Sequence, residues 1–326
     1  MACNKADAIL SIGKNGRTGN NLAQVMKGLY FAAATNMSCI HLEPQYYNNS
    51  VLDMPAFFRL DNHSIEMDGC TNALSEYQAP WLWHCNASCE PTSTFGSFWI
   101  DGCDGVAAND LRLLAETYIK PHARFSTAIP PDGDGLLTVH LRGGDLLGKQ
   151  DGDRNAPAHH WMWAQPPCSV YERIVSHGNY SAVLIVLEKP VEAYPCVPWF
   201  RHFSKRSGVI LRIQASTVLA DARAIYRARN LALSFSTFSE SIALVSGEAK
   251  RLYVYNTFQA HSAINCKLWP GVSLYDFQGP NKPPANNTLA ALWAHMTTYE
   301  GFVGPRLVTT DLCKRNAAGE WAIAGV

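Results

Sequence analysis

Short apolar runs that end in glycine or polar turns alternate along the chain with stretches whose apolar residues recur at helical spacing. Ala8-Ile-Leu-Ser-Ile-Gly13 reads as a strand closed by glycine, and 14–20 as a turn-forming loop. A helix is predicted over 20–35, with Leu22, Val25, Met26, Leu29 and Ala33 on one face. Ser38-Cys-Ile-His-Leu42 resumes as a strand. This is a βαβ unit, whose right-handed crossover predicts a parallel sheet. Residues 44–110 are poorly periodic, with aromatic clusters at Trp81-Leu-Trp83 and Phe95-Gly-Ser-Phe-Trp99. They read as long loops, functional or tied by disulfides. A helix is predicted over 111–124, and Pro130-Pro-Asp-Gly-Asp-Gly135 is a strong break and the predicted linker.

Beyond that break the alternation is cleaner. Leu136 to Arg142 reads as a strand, Ser169 to Ser176 as a helix, and Ala182 to Leu187 as a fully buried strand. Val209 to Ile213 is a further strand, and 216–229 a helix with Ser216 as its N-cap. Leu231 to Phe235 is a strand running into Ser236-Thr-Phe-Ser239, followed by a helix to Ser246 and the strand Leu252 to Tyr255. Such βαβα order predicts a doubly wound α/β sheet that binds ligands past the carboxyl ends of its strands. The expected domains are 1–130 and 131–326, the latter including a C-terminal tail.

Composition supports two folded domains. The 326 residues suffice for two cores, and 47% apolar against 17% charged residues fits a globule. Charges balance at 27 against 27, so no global field draws nucleic acid or an anionic membrane. Any bound anion must be held locally. No apolar run reaches the roughly 18 residues of a spanning helix, and Met1-Ala-Cys-Asn-Lys5 lacks a signal-peptide layout. The chain is therefore expected to be soluble, or the lumenal part of an anchored protein. Ten cysteines, five of them between Cys39 and Cys103, fit disulfides. Sequons at Asn36, Asn48, Asn62, Asn86, Asn179 and Asn286 point the same way, toward an oxidising lumen, with the cytoplasm as the alternative. His84-Cys-Asn-Ala-Ser-Cys89 has no second Cys/His pair at metal-ligand spacing, so disulfides or buried thiols are the better reading than zinc.

Three constellations carry candidate chemistry. In His140-Leu-Arg-Gly-Gly-Asp145, strand geometry puts His140 and Arg142 on one face at the strand's carboxyl end. Gly143 and Gly144 remove bulk where a phosphate would approach the backbone, and an arginine fork suits a diphosphate better than a lysine. In Ser236-Thr-Phe-Ser-Glu-Ser241, hydroxyls and unpaired amides at a helix start form an anion site, or simply a cap made by Ser236, Thr237 or Ser239. Gly13-Lys-Asn-Gly-Arg-Thr-Gly-Asn-Asn21 has neither the spacing of a dinucleotide fingerprint nor that of a P-loop, and on its own reads as a tight turn.

In this order, the three constellations resemble the GDP-fucosyltransferase superfamily, which includes the α1,2-, α1,6- and protein O-fucosyltransferases. Gly16-Arg-Thr-Gly-Asn20 matches its first loop, His140 to Asp145 its donor motif, and Ser236 to Ser239 its third motif. The resemblance is specific over 136–247 and weaker over 8–42, while 44–130 and 257–326 match nothing in it. It implies a GT-B-like α/β fold of two facing Rossmann-like domains, with the acceptor on 1–130 and the nucleotide sugar on 131–326. It also implies that Arg142 neutralises the departing β-phosphate and that His140 contacts the same phosphate or orients the arginine. Asp221 would accept from guanine or ribose. Ser236, Thr237 and Phe238 would cover the phosphates and base edge, and Gly16, Arg17 and Asn20 would close over the cleft.

The expected reaction is inverting transfer of a sugar, L-fucose from GDP-fucose, to a glycan or glycoprotein hydroxyl. For the general base the candidates are Asp145, Asp151 and Asp153. The α1,6 branch carries a glutamate where this chain has Gln150, which sets it apart from that branch. Asp151-Gly-Asp153 lies in a predicted loop and not after a strand, so neither metal nor another cofactor is expected. Two rivals remain: a same-fold transferase using another sugar nucleotide, and a non-catalytic glycan-binding protein. Trp81, Trp83, Trp161 and Trp163 would stack on sugars in any of these, or pack in the core.

Overall fold

The computed structural model describes residues 8–12, 39–42, 64–66, 75–79, 113–123, 132–143, 165–256, 269, 271–279, 288–298, 300–309, 312–315 and 321–323, and also Gly19, Leu22, Val25, Met26 and Leu29. They form two mostly parallel sheets and a small hairpin. The first sheet comprises β1 (Ala8–Ile12), β2 (Cys39–Leu42), β3 (Ser64–Glu66) and β4 (Ser75–Ala79), in the order β3-β2-β1-β4. β1 pairs in parallel with β2 and with β4, as a βαβ crossover requires. Between β1 and β2, Leu22, Val25, Met26 and Leu29 are helical and at most 2% exposed, as their i, i+3, i+4, i+7 spacing predicts. β3 and β4 fall within 44–110, where the pattern predicts only loops; strands of three and five residues with one or two apolar side chains give too little alternation to read.

The second sheet holds β5 (Leu136–Leu141), β6 (Ala182–Leu187), β7 (Ile210–Gln214), β8 (Asn230–Ala232), β9 (Arg251–Asn256), β10 (Ser273–Gln278) and β11 (Val303–Leu307). Their order is β11-β10-β9-β8-β5-β6-β7, with only the β10–β11 pairing antiparallel. The six parallel strands follow the doubly wound order, two half-sheets growing outward from β5 and β8. The α/β class with two parallel sheets is the one the pattern predicts. A hairpin of β12 (Cys313–Arg315) and β13 (Trp321–Ile323) follows.

Five helices accompany this sheet: α1 (Cys168–Gly178), α2 (Cys196–Ser207), α3 (Val218–Arg227), α4 (Thr237–Ser246) and α5 (Leu289–Thr298). Leu137, Val139 and Leu141 of β5 join one core with Ile174 of α1, Phe200 of α2 and Met296 of α5. Alternation therefore sends Thr138, His140 and Arg142 to the opposite face, where α3 and α4 pack together. α4 is buried along its length from Ser239 to Ser246. Its carboxyl end is held by Lys120, whose Nζ donates to Ser246 O at 2.6 Å and puts a cation where the helix dipole favours one. Lys120 opens a 3-10 turn, Lys120–His122, that follows a π turn, Ala115–Ile119, in the predicted helix 111–124.

Three local corrections follow. α3 is capped by Thr217 and not Ser216: Thr217 is extended, and its Oγ1 accepts from Ala220 N at 3.2 Å. β8 ends at Ala232, three residues short of Phe235, although Leu233 N still donates to Tyr253 O at 2.9 Å. α2 is absent from the predicted elements because Pro195 and Pro198 read as breakers. Pro198 in fact lies in the first turn, where its missing N–H leaves no bond unmade. A disulfide joins Cys168 and Cys196, the first residues of α1 and α2. Cys313 is also disulfide-bonded. The side chains of the cysteines between 39 and 103 lie outside the described residues. Among the described residues no helix is long and apolar enough to cross a membrane.

Candidate functional site

β5 and β8 are neighbours, paired at Thr138–Leu231 and Val139–Ala232, yet the chain leaves β5 toward β6 and leaves β8 toward β9. Diverging connections open a crevice beyond the carboxyl ends of these two strands, the usual ligand position in an open α/β sheet. His140 is the penultimate residue of β5, and Arg142 lies one past its end. Ser234, Phe235 and Ser236 lead from β8 into α4. Both constellations thus meet at one switch point.

They also touch. Arg142 Nη1 donates to Phe235 O at 3.0 Å, tying the guanidinium to the residue just before the helix cap. Ser236 is that cap: it is extended, and its Oγ accepts from Phe238 N at 3.3 Å. Ser239 is fully buried and donates to Ser236 O at 3.4 Å, which leaves Thr237 and Phe238 as the partly exposed residues of the first turn. His140 is buried, its ring 5.6 Å from that of Phe238 and its Nδ1 2.7 Å from Ser234 Oγ. Burial, reinforced by the Arg142 cation, pulls its pKa down to about 3, so the imidazole is neutral at physiological pH. The site therefore combines a fixed cation, a neutral imidazole and a capped helix start.

Two glycines explain themselves by contact. A Cβ on Gly143 would lie 2.2 Å from ring carbons of Tyr194, so any larger residue there would have to displace that buried ring. A Cβ on Gly19 would lie 2.3 Å from Phe238 N and 2.6 Å from its Cα. Ser241 Oγ donates to Gly19 O at 3.4 Å, so the first loop-helix junction lies directly on the first turn of α4. Gly19→Ala is accordingly expected to destabilise the protein by about 1–3 kcal/mol, the range for overpacking. Backbone atoms cannot swing aside as a side chain can. Urea denaturation checks this; wild-type stability would mean that the two segments do not pack so closely.

Asp221 sits in the first turn of α3, 8% exposed, at the same carboxyl edge of the sheet as Arg142 but toward β6 and β7. Gln214 Nε2, from the end of β7, donates to its Oδ1 at 3.0 Å, and Ser216 N–H also donates to it. Burial raises its pKa against those two bonds, with Glu188 after β6 pushing the same way. Gly16, Arg17, Asn20, Gly144, Asp145, Asp151, Asp153 and the four paired tryptophans lie outside the described residues. Ser234 and Tyr194 are site residues that the pattern does not single out. Ser234 carries a signal all the same, as a hydroxyl interrupting the apolar run Leu231-Ala-Leu-Ser-Phe235 that must find a buried partner. Tyr194 carries none.

Fold and site together define a doubly wound α/β protein with an arginine and a helix start converging at its switch point. No protein-family model matches the chain, and no curated protein matches it. Among solved structures it is similar to POFUT1 in complex with GDP-fucose, at 12% identity and a TM-score of 0.42, over 76% of this chain and 97% of that one. POFUT1 in complex with GDP matches over the same shares at 12% identity and a TM-score of 0.40. The E. coli heptosyltransferase WaaC with ADP matches at 9% identity and a TM-score of 0.37, over 87% of this chain and 97% of that one.

Proposed function

We propose that the chain is an inverting glycosyltransferase that moves L-fucose from GDP-fucose onto a hydroxyl of a glycan or glycoprotein. The observation that carries this is the bond from Arg142 to Phe235 O, which sets a guanidinium beside the start of α4 at the switch point. When a sugar leaves a diphosphate, negative charge grows on the β-phosphate, and prearranged positive charge lowers that barrier most. Arg142 is the group for this, with no metal assigned a part. Phe238 and Thr237 are assigned to cover the diphosphate, and Asp221 to accept from the guanine or ribose. The guanine and fucose assignments rest on the three motifs. Of the candidate bases Asp145, Asp151 and Asp153, Asp145 stands nearest to Arg142 in sequence. The buried Cys168–Cys196 disulfide favours an oxidising compartment, a Golgi or other secretory lumen.

A thermal-shift series with GDP, UDP and ADP tests the donor. GDP is expected to stabilise the fold by about 2.7 kcal/mol at a hundredfold excess over its Kd, with UDP and ADP far behind. Stabilisation by UDP or ADP in place of GDP would transfer the reading to another sugar nucleotide. No response to any of the three would remove it.

A further inference from the structure

We propose that Ser234 is a positioning residue: its hydroxyl donates to His140 Nδ1, keeping the ring proton on Nε2 so that the imidazole presents an N–H donor at the switch point. The inference rests on the donor site described above and deepens it.

A neutral imidazole has one N–H and one bare nitrogen, and the partner of Nδ1 decides which is which. That partner is Ser234 Oγ, 2.7 Å away, and both residues are buried. Serine can donate or accept in such a pair. Two considerations select donation. First, among the described residues the Ser234 hydroxyl makes no hydrogen bond except to His140. Were it to accept from Nδ1–H, its own proton would be buried without an acceptor, which costs more than the bond returns. Second, the site is arranged for an anion, with Arg142 one residue past the strand end. A bare Nε2 would repel a phosphate oxygen, whereas Nε2–H attracts one without adding charge. Phe238, whose ring lies 5.6 Å from the imidazole, helps hold the ring in place.

The tautomer is read in nucleotide-free protein by nitrogen-15 NMR of histidine-labelled samples, with His140 assigned by its loss in His140→Asn. Expected is a neutral ring with Nε2 protonated and Nδ1 bare. A ring protonated on Nδ1 overturns the proposal whether or not GDP binds. Ser234→Ala removes one oxygen and is expected to give a mixture of both tautomers, together with GDP binding weakened about three- to tenfold. An unchanged single tautomer in Ser234→Ala also overturns it, because serine would then play no part in the choice. If wild-type protein binds no GDP at all, the donor reading falls, and with it the phosphate target of the N–H. The tautomer itself is still decided by the NMR measurement.

Discussion

Arg142→Ala is expected to lower turnover about 10²–10³-fold, the cost of removing one prearranged group from a developing anion, while GDP binding weakens far less. The two effects separate because the charge on the leaving diphosphate is larger in the transition state than in the bound donor. Arg142→Lys should do little better. The wild-type guanidinium holds Phe235 O with Nη1 at 3.0 Å, and a guanidinium is a planar fork of five donors that can hold a carbonyl and an anion at once. A single ammonium on a flexible stem must choose between these tasks. Steady-state kinetics with GDP-fucose and calorimetry with GDP, run on the same preparations, give the comparison. Equal losses in turnover and GDP affinity would demote Arg142 to ordinary binding. Because the bond from Arg142 to Phe235 O is removed in Arg142→Ala and altered in Arg142→Lys, the thermal stability of both variants is needed as a control.

Replacing Cys168 and Cys196 by alanine is expected to cost about 3–4 kcal/mol of stability, on the chain-entropy account of a crosslink. The residues are 28 positions apart in sequence, and the bridge fastens the first turn of α1 to that of α2. Denaturant titration of the double variant, with reduced wild-type protein as a second route to the same state, measures the loss. Both cysteines are fully buried, so reduction has to follow at least local opening. His140 and Arg142 face α3 and α4, away from the bridged helices, so GDP binding per folded molecule should persist. An unchanged midpoint would show that the α1–α2 pairing is secured by packing alone.

Much of the second sheet is legible in the chain because its central strands β5, β6, β8 and β9 are largely buried and short apolar runs report them. Ala182-Val-Leu-Ile-Val-Leu187 coincides with β6 residue for residue. Legibility fails where periodicity is short or where chemistry disguises it. β8 keeps only three residues of a longer apolar run, and α2 hides behind two prolines. The strands after 257 lack the clean alternation that marks the others. For the site, period-two geometry alone places His140 and Arg142 together, and the cluster of hydroxyls marks the start of α4. What pattern cannot supply is pairing across long separations. The contacts of Arg142 with Phe235, His140 with Ser234 and Gly19 with Phe238 join residues 93, 94 and some 219 positions apart, the last by difference of residue numbers. Local sequence carries no record of them.

α4 is gripped at both ends by residues that precede the second sheet. Gly19 lies against its first turn, and Lys120 fastens its last carbonyl. Contacts near both ends of a helix leave rotation about the line between them, but they oppose any motion that lifts the earlier segments off the helix. Separating those segments from the second sheet would have to release both grips at once. On the function proposed above, the start of α4 would then act as a fixed post against which the donor is held, with both of its neighbours keeping their places.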